Sequence, residues 1–237
     1  NADKFSSIFH KAPKYMKQPQ IEITADGSAT LYIPEIDEHY HSVKGALTES
    51  LHIFIQTGFY YSKADPLTIF EVGFGTGLNA FLTLLECEKL QRKTVYHTIE
   101  LYPLTTEQAN SLKYQDTIAP EQATLFETIH LAEWDKPIEI TPNFTLHKIK
   151  GDMGQIILPD QSFDLIYYDA FAPEKQPNLW SEEIFEKISR SMKSQGILTT
   201  YCAKGEVRRR LQRAGLIVER LQGPPAGKRE ILRAIKP

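Results

Sequence analysis

The sequence predicts an α/β fold: one mostly parallel sheet of seven strands with an antiparallel last strand and helices on both faces. Three observations predict it. Strand-like and helix-like segments alternate from residue 67 onward, a glycine-rich turn joins the first strand to its helix, and acidic residues recur at strand ends. At 237 residues, 41% hydrophobic and 24% charged, the chain suits one such sheet with a small addition. The expected division is an N-terminal hairpin-and-helix appendage over residues 1–62 and the main domain over 63–237. A chain of this size buries enough surface to fold without disulfide or metal.

Residues 20–33 read as a hairpin, because Ile21, Ile23, Leu31 and Ile33 alternate with polar neighbours around Ala25-Asp26-Gly27-Ser28. Residues 43–60 carry Leu47, Leu51, Phe54 and Ile55 at helical spacing. Leu67–Val72 reads as a buried strand, Leu78–Leu90 as a helix and Thr94–Ile99 as a second strand ending at Glu100. A helix follows Pro103, where a missing N–H costs nothing, and another spans 120–134. Phe144–Ile149 ends at Gly151-Asp152, and Phe163–Tyr168 ends at Asp169. Ser181 caps a helix running to about Met192, with Ile184, Phe185, Ile188 and Met192 as its apolar stripe. Gly196–Tyr201 is a strand, and Glu206–Ala214 a helix stopped by Gly215. Leu216–Leu221 and Glu230–Ile235 complete the sheet; the loop between them is too short for a helix, so they pair antiparallel.

The turn Glu71-Val72-Gly73-Phe74-Gly75-Thr76-Gly77-Leu78-Asn79 places backbone N–H groups at a helix N-terminus, where a ligand anion is stabilised. A dinucleotide fingerprint needs its third glycine where Leu78 stands, which disfavours a nicotinamide oxidoreductase. What remains, G-x-G-x-G after an acid, resembles the pattern of S-adenosylmethionine-dependent methyltransferases. Ligands in such sheets bind beyond the carboxyl ends of the central strands, where the turn, Glu100, Asp152 and Asp169 fall. Glu100 is placed to accept from ribose hydroxyls. Asp152 is placed to accept from an adenine amine, with Met153 against the ring, or to cap the short apolar stretch after it. Asp169 faces the reacting group, in a loop stiffened by Pro173 and Pro177.

The two cysteines, Cys87 and Cys202, read as reduced, buried thiols, in keeping with a cytoplasmic protein. Of seven histidines only His39 and His41 lie close together, without a cysteine nearby, so no metal is expected. No apolar run reaches the length of a membrane span. The net charge of −3 is uneven: residues 204–237 carry ten Lys/Arg against three Glu, and Lys4, Lys11, Lys14 and Lys17 make the N-terminus basic. Basic ends around an acidic middle suit either a polyanion partner or a solvated surface.

Asp169-Ala170-Phe171-Ala172-Pro173-Glu174-Lys175-Gln176-Pro177-Asn178-Leu179-Trp180 closely resembles the D-G-F-A-P-x-x-N-P-x-x-W signature of the MnmC methyltransferase-domain family. Tyr40–Ser50 is similar to the family's Y-x-S…G-x-x-E-S segment, Gly73–Asn79 to its G-F-G-T-G-L-N turn and Gly223–Glu230 to its glycine-rich run ending in K-R-E. Ala170 and Gln176 depart from the usual Gly and Asn, and Pro224-Pro225 is extra. The resemblance implies a Rossmann-like class I methyltransferase. It also implies methyl transfer from S-adenosylmethionine to the amine of a 5-aminomethyl-(2-thio)uridine at the tRNA wobble position. Glu71, Gly73, Phe74, Gly75, Gly77, Asn79, Glu100, Asp152 and Met153 would hold the donor, and Asp169 would orient the amine. Phe171, Pro173 and Trp180 would meet the anticodon base, and Lys228 and Arg229, with Arg208, Arg209, Arg210 and Arg213, the phosphates. Because the chain stops at Pro237, methyl transfer without the flavin-dependent oxidase of many relatives is expected. The alternatives are a small-molecule N- or O-methyltransferase of the same fold and a non-catalytic tRNA- or nucleotide-binding module.

Overall fold

The computed structural model describes residues 19–225 and 227–237. The basic N-terminal lysines, Lys4 to Lys17, lie outside the described residues.

Strands β1 (Gln20–Ile23), β2 (Ala29–Ile33) and β3 (Glu38–His39) form a small antiparallel sheet in that order. The turn between β1 and β2 is tied to the helix Ala46–Ser50 by Asp26. Its carboxylate accepts from Ser28 N–H at 3.1 Å, Thr48 N–H at 2.8 Å and Thr48 Oγ1 at 2.7 Å. Burial alone would raise its pKa, but the bonds from Ser28, Thr48 and Thr24 hold it well below the usual carboxylate range. The hairpin is thereby fastened to a helix that continues with wider turns over Leu51–Phe59.

The main sheet comprises β4 (Leu67–Val72), β5 (Thr94–Glu100), β6 (Pro137–Thr141), β7 (Phe144–Lys150), β8 (Phe163–Tyr168), β9 (Met192–Thr200), β10 (Ile217–Gln222) and β11 (Glu230–Ile235). Its order is β10-β11-β9-β8-β4-β5-β7-β6. The five central strands β7, β5, β4, β8 and β9 run parallel, and β11 is antiparallel to both of its neighbours. Seven strands are those expected. The eighth, β6, is an additional antiparallel edge strand on β7 that sequence patterning missed. It is largely solvent-facing and opens on Pro137, a residue tolerated at a strand's first position.

Both faces of the sheet are covered, and neighbouring residues on each strand go to opposite sides. Ile69, Leu165, Tyr167 and Ile197 pack with Phe54, Phe81 and Phe126 from the helices Leu51–Phe59, Leu78–Leu90 and Ala123–Leu131. Phe70, Ile166, Tyr168 and Leu198 pack with Ile184, Phe185 and Leu211 from the helices Glu182–Ser191 and Gly205–Arg213. Each such side chain contributes roughly 1.5–3 kcal/mol by leaving water. This double burial explains the near-continuous apolar runs of the central strands. It also leaves their carboxyl ends as the edge at which polar groups can meet.

Candidate active site

The turn after β4 and the end of β8 lie side by side. Asp169 N–H donates to Val72 O at 3.1 Å, and Gly73 N–H to Ile99 O at 3.1 Å. A Cβ on Gly73, whose φ is 93°, would stand 2.9 Å from the Asp169 carbonyl oxygen. A Cβ on Gly75 would stand 2.9 Å from the Tyr40 ring. The close approach therefore requires residues without side chains. Gly77 turns the chain into the helix Leu78–Leu90.

These elements wall a cavity of about 530 Å³. Gly73, Phe74, Gly75, Asn79, Glu100, Asp152, Met153, Asp169 and Phe171 all reach it, so most of the expected site residues converge. Glu100 receives Gly75 N–H at 3.0 Å and Tyr102 N–H at 2.9 Å; burial raises its pKa and these donors pull it back. Asp152 receives Gly154 N–H at 2.7 Å within a local turn, not as the expected helix cap, since no helix forms over the apolar stretch that follows, and it still lines the cavity.

Glu71 does not line the cavity. It is fully buried and accepts from Thr98 Oγ1 at 2.8 Å and Asn79 Nδ2 at 3.1 Å. The same Asn79 amide donates to Asp169 Oδ2 at 2.8 Å, so Glu71 acts through Asn79 on Asp169. Burial, reinforced by Asp169, pushes the Glu71 carboxyl well up. Asn79 Oδ1 is buried without a hydrogen-bond partner among the described residues. Burial raises Asp169 to about 7, with Glu49 adding to the rise, while Asn79 and Lys228 oppose it.

The loop after Asp169 is braced from within. Phe171 N–H donates to Gln176 Oε1 at 3.0 Å, so the residue that departs from the family's asparagine makes this closure. Trp180, expected to meet a base, is instead wholly buried, with its indole N–H on Phe171 O at 2.8 Å and its ring on Tyr168 and Phe185. It fixes Phe171 rather than facing a ligand. Pro173 is half-buried and lines neither this cavity nor its neighbour. Phe74 presents the turn to the cavity while its ring packs on His130 and Trp134. Beneath it lies Lys148, a buried lysine missed in the sequence, which donates to His130 O at 2.8 Å. Its ammonium sits 4.7 Å from the Trp134 ring centroid, and burial lowers its pKa to about 8.

A second, smaller cavity of about 240 Å³ opens on the other side of Asp169. Tyr40, His41, Asp169, Ala170 and Phe171 line both. Glu49, Tyr201 and Lys228 belong to the smaller one. Glu49 and Tyr201 were missed as site residues. Glu49 stands in the Y-x-S…G-x-x-E-S segment, which was the only signal for it.

The basic face is less open than its composition suggested. Arg210 donates to Trp180 O at 2.6 Å and pairs with Glu206, and Arg213 pairs with Glu182. Lys228 points to the Tyr201 ring, its ammonium 3.7 Å from the centroid. Arg209 and Arg229 are exposed.

A family profile described as S-adenosyl-L-methionine-dependent methyltransferase matches residues 107–237. The chain belongs to that family. The matched span carries Asp152, Asp169 and the braced loop, and the geometry adds the glycine turn that lies outside it. The bifunctional protein MnmC of Burkholderia thailandensis, named for tRNA 5-methylaminomethyl-2-thiouridine biosynthesis, is 29% identical over 86% of this chain and 33% of its own length. Its counterpart in Aeromonas hydrophila is 28% identical over 84% of this chain and 32% of its own. The chain thus spans about a third of the length of the curated relatives it matches. The crystal structure of MnmC2 from Aquifex aeolicus superposes with a TM-score of 0.74 at 23% identity, covering 98% of this chain and 75% of that one. Spermidine synthase from Thermotoga maritima gives 0.57 at 14% identity, covering 94% and 72%; both establish the fold. The expected likeness to the MnmC methyltransferase domain is borne out.

The family's donor, S-adenosylmethionine, fits what the residues offer. The cavity volume lies in the range of small-molecule sites, roughly 300–1,000 Å³. The glycines let the turn close tightly on Asp169, Tyr40 and His130 at the cavity wall, and Asn79 Oδ1 is a buried acceptor still unmatched among the described residues. Among the described residues no helix is long and apolar enough to cross a membrane, and no group of three or more His, Cys, Asp or Glu is placed to hold a metal.

Proposed function

We propose that the protein methylates the amine of a 5-aminomethyl-(2-thio)uridine at the wobble position of tRNA, acting in the cytoplasm. One observation carries the reading: Asp169 stands between a donor-sized cavity and a second, charged chamber, with the family's signature loop closing over both. The names of the Burkholderia and Aeromonas relatives, which concern this tRNA modification, support the choice of acceptor.

In this reading the glycine turn and Asn79 hold the donor's amino-acid end, Glu100 its ribose, and Asp152 with Met153 its adenine. The bound donor supplies a methyl carbon on a sulfonium. The protein's task is to align an amine with that carbon, and good alignment contributes several kcal/mol. The attacking nitrogen must be neutral, whereas an alkylamine in water is protonated at pH 7. An ordinary aspartate would hold the proton on nitrogen. Asp169, raised to about 7, is matched to receive it near neutrality. Asn79, itself held by Glu71, keeps the carboxylate turned to the junction. Phe171 and Tyr40, ring centroids 5.0 Å apart, stand as an aromatic gate between the chambers.

Nucleoside mass analysis tests the reading: tRNA bearing 5-aminomethyluridine, incubated with protein and S-adenosylmethionine, should gain one methyl on that nucleoside. A small-amine acceptor is the competing reading, favoured by the engagement of Arg210, Arg213 and Lys228 with other residues of the protein. Methylation of free amines but not of tRNA would establish it.

A further inference from the structure

The smaller chamber is polar where the larger is mixed. Glu49 is 9% exposed, on the helix fastened by Asp26. Burial raises its carboxyl, while Lys228 and the hydroxyl and N–H of Ser42 pull it down. Asp169 faces it, and the Tyr201 ring forms a wall fixed by its O–H on Ala170 O at 2.8 Å. Two buried carboxylates and an aromatic face around one small volume form a surrounding for a cation. The chain supplies one itself: Lys228 stands over Tyr201 and opposes the charge of both carboxylates. It comes from an exposed loop position beside Gly227 rather than from a packed element.

We propose that this chamber is the subsite for the acceptor's amino group, recognised in its ammonium form by Glu49 together with Asp169, and that the Lys228 ammonium holds the place until the acceptor arrives. The proposal rests on amine methylation as proposed above and names the residue that selects the amine. An incoming R–NH₃⁺ replaces Lys228, which swings outward. One N–H bond then breaks as an O–H bond forms on Asp169. The freed nitrogen pair forms the N–C bond to the methyl carbon, and the pair of the broken C–S bond stays with sulfur. Glu49 takes no proton in this step, and as a carboxylate beside the nitrogen it favours the cationic product as well as the cationic substrate. A neutral hydroxyl acceptor can donate a hydrogen bond here but lacks the charge attraction an ammonium has to two carboxylates, which makes the chamber selective for amines.

The test needs no RNA. Sinefungin carries a primary amine where S-adenosylmethionine carries its sulfonium methyl, and S-adenosylhomocysteine carries neither. Calorimetry on the full chain at pH 7 should show sinefungin bound at least tenfold more tightly than S-adenosylhomocysteine. Glu49→Gln should remove most of that preference while S-adenosylhomocysteine affinity stays within twofold. Lys228→Met, which removes the competing cation, should raise sinefungin affinity severalfold. An unchanged preference in Glu49→Gln, loss of S-adenosylhomocysteine binding in that variant, or weaker sinefungin binding in Lys228→Met would each overturn the proposal. Wild-type protein that prefers sinefungin but transfers no methyl to tRNA would overturn the RNA reading and support the amine subsite.

Discussion

The two chambers that meet at Asp169 are made of different materials. The larger chamber, proposed for the donor, is mainly backbone: a glycine turn, strand ends and N–H groups, with Glu100 and Asp152 held by main-chain donors. The other side is mainly side chain, with Glu49, Tyr201 and Lys228 brought from three distant segments. A common donor can be bound by features that short motifs encode, whereas an acceptor is selected by residues that only the fold assembles. The difference separates general from specific chemistry within one molecule.

Asp169 belongs to both chambers, so its replacement has the largest effect. Asp169→Asn should lower the transfer rate at least a hundredfold while leaving S-adenosylhomocysteine affinity within threefold, read by single-turnover kinetics and calorimetry. The same variant should be more stable at pH 8. A carboxyl raised from 3.8 to about 7 on folding binds its proton more tightly in the folded state, so its effect on stability declines from pH 4 to 7 and is a net cost above. Thermal melts at pH 8 should therefore favour the amide by about 1–2 kcal/mol.

The donor side is tested by Gly75→Ala, whose Cβ would press on the Tyr40 ring at 2.9 Å. Donor affinity should fall about tenfold or more, since a shifted Tyr40 disturbs both chambers. In the pH dependence, the single-turnover rate with saturating donor and acceptor should rise with pH through about 7 as Asp169 becomes able to receive a proton. A flat profile from pH 5.5 to 8 would separate Asp169 from proton transfer. The smallest effect belongs to the fastening of the Glu49 helix. Asp26→Ala should cost about 1–2 kcal/mol at pH 7, a figure discounted for the exposure of this carboxylate. Because folding depresses its pKa, that contribution is complete above about pH 4 and fades as the pH falls further. Melts at pH 7 and pH 3 should show the gap narrowing.

The legibility of the sequence divides along the same line. Double burial writes β4, β5 and β8 as apolar runs, and the turn after β4 must be glycine-rich, so the sheet and the turn that walls the larger cavity were readable. Edge strand β6 was not, because a half-solvated strand lacks that apolar signal. Trp180 shows a subtler limit: a tryptophan in a signature loop reads alike whether it stacks on a ligand or props the loop, and its buried N–H on Phe171 O decides for the prop. Glu71 likewise sits in the motif yet works one residue removed, through Asn79. Charge counting overstated the basic face because it does not register pairing, which engages Arg210 and Arg213 within the protein.

In the proposed mechanism the donor's reactive carbon is aimed at Asp169. A crystal structure of the protein with S-adenosylhomocysteine tests it most directly. Adenine is expected beside Asp152 and Met153, ribose on Glu100, and sulfur facing Asp169 within the larger cavity that Asp169 itself lines. Sulfur turned away from Asp169, or a ligand lodged outside the glycine turn, would contradict it.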